Sequence, residues 1–324
     1  MILTGMMRRL AFAAVCASAA SPAAAADQIK VALSQRGTFD PTVTQVAEKF
    51  GFFKNEGIDA AFTFTAGGTE TVQAVATGSV DIATPTATHA AIAAVAKGAQ
   101  IRIIGSRMLG SPDLFWYVKA DSPLRRIEDV AGKAVAYSRP ASVSHMIVLS
   151  LLEQHQLQAK LVQTGAVTAT RTLVMTGQVD VGWSSVPIGL TPIMAGEARI
   201  LFRADDAVEL AGVASRVTIT SAEFLRTRRD VARRFMAANQ KAVDWLFDGH
   251  LEEAAQILAD DSKLDIAVAR EGAKFFKKEH FAIAPIRGLE KAMAQAVDHG
   301  IIKDPLTPDQ LREMVDIVYQ PGTN

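Results

Sequence analysis

The chain has 324 residues, of which 49% are hydrophobic, 21% charged and 6% aromatic, and its 34 basic residues balance its 34 acidic ones. That length allows two domains, each with a core of its own, and the hydrophobic content excludes an intrinsically disordered chain. The zero formal charge argues against a nucleic-acid binder, which carries a basic surplus.

Arg8 and Arg9 precede an apolar run from Leu10 to Ala20, the size of a signal-peptide core and too short for a membrane span. Ala24, Ala25 and Ala26 supply an A-x-A cleavage pattern, so residues 1–26 are expected to be removed and Asp27 to begin the mature chain. Val15 before Cys16 is too bulky for a lipidation motif, and Met7 and Ala11 do not fit a twin-arginine signal. Loss of the leader leaves 32 basic residues against 34 acidic and removes Cys16, the one cysteine. Thiol catalysis, thiolate metal sites and disulfides are thereby excluded from the mature protein. The expected product is exported and periplasmic.

Ile29, Val31 and Leu33 alternate as a strand. Asp40-Pro41 reads as an N-cap and first helical position, followed by the apolar face Val43, Val46, Ala47 and Phe50, with a stop at Gly51. Residues 58–64 form a second strand. Ala66-Gly67-Gly68-Thr69 then turns into a helix carrying Val72, Val75 and Ala76. Strands over 80–83 and 101–104 flank a helix over 90–97 that ends at Gly98. Alternation of this kind predicts parallel sheets covered on both faces.

The segment Thr77-Gly78-Ser79-Val80-Asp81-Ile82-Ala83 recurs 99 residues later as Thr176-Gly177-Gln178-Val179-Asp180-Val181-Gly182. At the same offset Asn55-Glu56-Gly57-Ile58 falls on Gln154-His155-Gln156-Leu157. The period is too long for a solenoid and suggests two lobes on one plan. After Ser221 the pattern turns helical, over 231–247, 251–259, 266–277 and 289–297, with a capping box at Thr307-Pro308-Asp309-Gln310. The arginines at 226, 228, 229, 233 and 234 stand among Glu223 and Asp230 and read as a solvated helix face.

The phosphate loop, the dinucleotide fingerprint and the nucleophile elbow are all missing from the sequence. The six histidines show no metal-ligand spacing. What remains is a set of polar turns where strands give way to helices: 34–39, with Gln35 and Phe39; 66–69, with Gly68 and Thr69; 84–88, with Thr84 and Thr86; 138–144, with Arg139, Ser142 and Ser144; and Trp183-Ser184-Ser185. Ligands in open α/β sheets bind outside the carboxyl ends of the strands, where helix N-termini offer free N–H groups. Each hydroxyl can equally be an N-cap. Glycine turns, hydroxyls and helix ends suit an anion, with Arg139 the first choice of partner beside Arg36 and Arg107. Trp116, Tyr117, Tyr137, Trp183 and Phe39 can instead sandwich a flat ring.

The run Phe50-Gly51-Phe52-Phe53-Lys54-Asn55-Glu56-Gly57-Ile58-Asp59 resembles the GFF-x-x-x-GI/L-D signature of a group of solute-binding proteins. That group serves ABC importers for nitrate, taurine, alkanesulfonates and thiamine-precursor pyrimidines. Thr77 to Asp81, the run Ile127-Glu128-Asp129-Val130-Ala131-Gly132-Lys133 and Thr176 to Asp180 are similar to it as well, in the same order. The resemblance implies a two-lobed periplasmic-binding fold with two crossovers, each lobe a mainly parallel sheet flanked by helices. Lobe one would hold 27–110 and 212–324, including the helical tail, and lobe two 111–211. It implies a monomer that traps a small anion between the lobes, without cofactor or catalysis, and hands it to a membrane permease with a cytoplasmic ATPase. A pyrimidine or aromatic acid is the alternative ligand. A periplasmic sensor is the alternative role. An enzyme on the same fold is disfavoured, because the related fungal pyrimidine synthases use a cysteine-rich motif missing here.

Overall fold

The computed structural model describes residues 25–322. All of the expected leader except Ala25 and Ala26 lies outside the described residues. Among these no helix is long and apolar enough to cross a membrane.

Strand β1 (Asp27–Leu33) is followed by helices α1 (Thr42–Lys49) and α2 (Phe52–Asn55) and by strand β2 (Ile58–Phe64). The two strands pair in parallel along their whole length, from Asp27 opposite Ile58 to Leu33 opposite Phe64. Helix α3 (Gly68–Ala76), strand β3 (Ile82–Ala87), helix α4 (Thr88–Ala96) and strand β4 (Ile101–Leu109) continue the alternation. Every residue of β3 is buried, because it runs through the centre of a sheet covered on both faces. Its length corrects the expected turn at 84–88. Thr84, Pro85 and Thr86 are strand residues, with Thr84 Oγ1 2.8 Å from Thr218 Oγ1 and Thr86 Oγ1 donating to Val217 O at 2.8 Å.

Gly110 to Asp113 carry the chain to a second unit, made of β5 (Leu114–Lys119), β6 (Ala134–Tyr137), α5 (Val143–Gln154), β7 (Lys160–Gln163), α6 (Val167–Met175), β8 (Gly182–Ser185), α7 (Leu190–Met194) and β9 (Ala198–Arg203). Residues 204–213 return it to β10 (Ala214–Ser221), which inserts antiparallel between β3 and β4. The first sheet has the order β2-β1-β3-β10-β4. In the second unit β7 pairs with β6, a bridge from Val135 to Val181 leads to β8, and β5 lies between β8 and β9. Both units therefore lay out their strands on the same plan.

The sequence repeat has a physical basis in this plan. Asp81 Oδ2 accepts the backbone N–H of Lys30 at 2.7 Å, and Asp180 Oδ2 accepts that of Ala134 at 2.8 Å. Each aspartate thus ties the start of its own strand to the strand beside it, β1 in the first unit and β6 in the second. Gly78 and Gly177 turn the chain before them at φ 71° and 74°. Gly57 and its counterpart Gln156 are both left-handed, at φ 65° and 53°, the latter an uncommon conformation for a residue with a side chain.

Helices α8 (Ala222–Phe247), α9 (Leu251–Ser262), α10 (Ile266–Ala273), α11 (Leu289–Asp298) and α12 (Pro308–Met314) form the tail. Thr307 and Gln310 make the expected capping box at α12. Helix α8 packs on α1, α2 and the first sheet, while α10 reaches α7 of the second unit. Strand pairing does not stop at Ser221, because Val315 bridges to Ile103 at the edge of the first sheet. Each of the five α8 arginines pairs with a carboxylate, as Arg229 does with Asp316 and Arg234 with Asp27 and Asp230.

Candidate functional site

The carboxyl ends of β1 and β3, the start of α3, the turn from β6 into α5 and the end of β8 converge between the two units. They enclose a cavity of about 70 Å³ lined by Gln35, Gly68, Thr86, Ser142, Ser144 and Trp183, among others. A single water needs ~10–15 Å³ on this measure, so the space suits a small solute.

Two helix N-termini open on the cavity from opposite sides. Gly67 and Gly68 at the start of α3 belong to the first unit, and Ser142, Val143 and Ser144 at the start of α5 to the second. Ser142 caps α5 by accepting from His145 N at 3.2 Å, and its Oγ lies 3.1 Å from that of Ser144. Gly68 is required by space. A Cβ there would stand 2.8 Å from the backbone nitrogen of Ala87, at the end of β3. Gln35 Oε1 accepts from Val167 N at 3.4 Å, which joins the β1 turn to α6 across the cleft.

The floor is charged and almost closed to solvent. Arg216 on β10 forks onto Asp113, at 3.0 Å to Oδ1 and 2.7 Å to Oδ2, and Ser185 Oγ donates to Asp113 Oδ2 at 2.8 Å. Asp40 lies 3.4 Å from Arg216 Nε and 3.0 Å from Arg107 Nε. Asp40, Asp113 and Arg216 line the cavity, with Arg107 buried behind them. Burial pushes the Asp40 carboxyl up even though Arg107 and Arg216 oppose the shift. Burial lowers Arg107. It also works against the charge on Arg216, but Asp113 and Asp40 hold that group above its ordinary value.

A family model described as NMT1/THI5 like matches residues 39–251, about two thirds of the chain. The chain belongs to the NMT1/THI5-like family. No curated protein matches it. Solved structures similar to this NMT1/THI5-like chain include the periplasmic aliphatic sulphonate binding protein SsuA from Escherichia coli, at 16% identity and a TM-score of 0.73, over 92% of this chain and 95% of that one. The alkanesulfonate-binding protein SsuA from Xanthomonas axonopodis pv. citri, bound to MOPS, gives 18% and 0.73, over 90% and 96%. A Candida albicans gene product with the generic periplasmic binding protein fold gives 16% and 0.69, over 89% and 96%. The two-lobed periplasmic-binding fold expected from the sequence is thus the fold of this chain.

Several of the expected site residues lie elsewhere. Phe39 is fully buried and stacks on Phe276 with ring centroids 4.4 Å apart. Thr84 is spent on Thr218 inside the sheet. Ser184 is buried off the cavity, against Gly189. Thr69 and Arg139 line a separate groove of about 490 Å³. There Arg139 pairs with Glu70 across the units, and Thr69 Oγ1 donates to Pro140 O at 3.5 Å. Arg36 pairs with Asp261. The aromatic sandwich is not assembled, since Trp116 and Tyr117 are core residues, Tyr137 stacks on His145 and only Trp183 of the five lines the cavity.

Asp40, Asp113 and Arg216 were not among the expected site residues. The Asp40-Pro41 pattern predicts Asp40 as an N-cap, but α1 makes no side-chain cap hydrogen bond and Pro41 occupies that position. For Arg216 the available signal was a charged side chain in a strand that is otherwise apolar or hydroxylic. Such a residue must be paired where the strand is buried.

Proposed function

We propose that this protein is the periplasmic solute-binding component of an ABC importer. It captures a small solute between two lobes, changes none of its bonds and delivers it to a membrane permease driven by a cytoplasmic ATPase. Lobe one comprises 27–110 and 212–324, and lobe two 111–211. The observation that carries this reading is a small cavity walled by strand ends and helix N-termini from both units, which two short connections join. Rotation about those connections opens and closes the cavity, and solute shifts the balance toward the closed form.

The N–H groups of Gly68 and Thr69 on α3, and of Val143 and Ser144 on α5, meet no acceptor within the chain among the described residues. They suit an acceptor group such as a sulfonate, carboxylate or nitrate, and the sulfonate-binding neighbours support the same class. Gln35, Gly68, Thr86, Ser142, Ser144 and Trp183 are the proposed contacts. The test is a thermal-shift screen over sulfonates, nitrate, carboxylates and pyrimidines. A true ligand at about 100 times its Kd stabilises by about 2.7 kcal/mol. A protein that answers to none of these, or that converts one of them chemically, contradicts the proposal.

A further inference from the structure

The turn that opens α5 is held from both sides by one residue. His145 donates its backbone N–H to the Ser142 cap, and its ring Nδ1 accepts from Ala141 N at 3.4 Å. The arrangement is a capping box moved back by one residue, and it works only while Nδ1 carries no proton. Ala141 is left-handed at φ 60°, a conformation that a residue with a side chain keeps only where its surroundings hold it. Those surroundings belong to the first unit. Ala141 is buried in an apolar cluster with Ala90 and Ala91 of α4 and Ala292 and Ala296 of α11. Among the described residues it is the one buried member of that cluster from 111–211.

The His145 ring stacks on Tyr137 of β6 with centroids 4.2 Å apart. Arg139 in the same turn is paired with Glu70 of α3. From the first unit, His299 beyond α11 lies close enough to repel a charge on His145, and His89 on α4 feels both rings. Burial, with a smaller part from His299, holds His145 at about 4 against 6.5 for the free imidazole.

We propose that His145 is a positioning residue for the solute site: its neutral ring holds Ala141 and the start of α5 against the first unit, and closure on solute requires that ring to be unprotonated. This inference rests on the solute-binding reading above and couples it to a proton. When the units part, Ala141 leaves its cluster and the ring meets water, where it takes up a proton readily. Acid therefore favours the open form. Solute affinity is full above about pH 6.5 and falls as the pH drops toward 4. A protonated His299 would draw Glu153 of α5 across the same interface, at 3.7 Å, but that carboxylate is 73% exposed and such pairs add little.

Calorimetric titration of the mature protein with ethanesulfonate and with nitrate, neither of which titrates in this range, tests the coupling. If the wider screen finds another ligand, that ligand is used in the same way. At about pH 5 each bound solute should release about one proton, read from how the heat varies with the ionisation enthalpy of the buffer, and affinity should be about tenfold below that at about pH 7.5. His145→Gln keeps an acceptor at this position and does not titrate. It should bind within about threefold of the wild type at about pH 7.5 and lose both the proton release and most of the acid dependence. No proton release by the wild type, or equal release by the variant, overturns the role of His145 and leaves solute binding intact. A variant that binds at neither pH shows that the ring only supports the fold, and also overturns the inference. A wild type that binds nothing in the wider screen overturns both this inference and the solute-binding reading.

Discussion

Arg216 stands where the stability of the fold and the shape of the site meet. It joins β10 to the connection ahead of β5 by two hydrogen bonds to Asp113. Arg216→Ala should destabilise the protein by about 3–5 kcal/mol, because buried Asp113 loses its counter-charge and Asp40 is left with Arg107 alone; denaturant unfolding measures this. Arg139 is a contrasting case. Its pair with Glu70 is about a third exposed, and exposed pairs are worth ~0–1 kcal/mol. Arg139→Ala should therefore weaken ligand binding less than about fivefold, which calorimetry will read. His89, buried beside Gln295 at 3.3 Å, is held by burial at about 4 against 6.5 for the free imidazole. Between those values the unfolded chain takes up a proton that the folded chain refuses. Stability is thus full above about pH 6.5 and falls as the pH drops toward 4, by up to about 3 kcal/mol for this residue. His145 moves the same way and for the same cause, burial. His89→Gln should reduce the loss of Tm between about pH 7 and about pH 5.

At the scale of elements, the start of α3 is fixed by close packing and the start of α5 by a cap. Gly68→Ala places a Cβ against the rigid backbone of Ala87. It should push α3 away from β3, with loss of ligand binding out of proportion to the fall in Tm. Ser142→Ala removes the acceptor for His145 N and should cost about 1 kcal/mol. Strand–helix alternation, the α12 capping box and the duplicated unit were legible in the sequence because each is written within a few adjacent residues. The repeat was visible because Asp81 and Asp180 do the same work on neighbouring strands. The extent of β3 was not legible. Thr-Pro-Thr carries the chemistry of a turn, and only burial between two neighbouring strands keeps it extended.

Across the whole molecule, the site draws on residues too far apart in sequence to announce each other. Asp40, Asp113 and Arg216 meet only because β10 returns from the second unit to lie between β3 and β4. A local reading of Asp40 before Pro41 gives an N-cap, and that reading fails because two arginines from β4 and β10 compete for the carboxylate. The turns at 34–39, 66–69 and 138–144 were recognisable as candidates for the cleft because they stand where strands give way to helices. Which of their side chains face inward depended on packing that the sequence does not print, as the burial of Phe39 against Phe276 shows. The central claim is that two similar lobes close around a solute. Small-angle scattering of the protein, with and without a saturating ligand from the screen, tests it most directly. The account predicts a smaller radius of gyration with ligand, and an unchanged radius in the presence of a tightly bound ligand would contradict it.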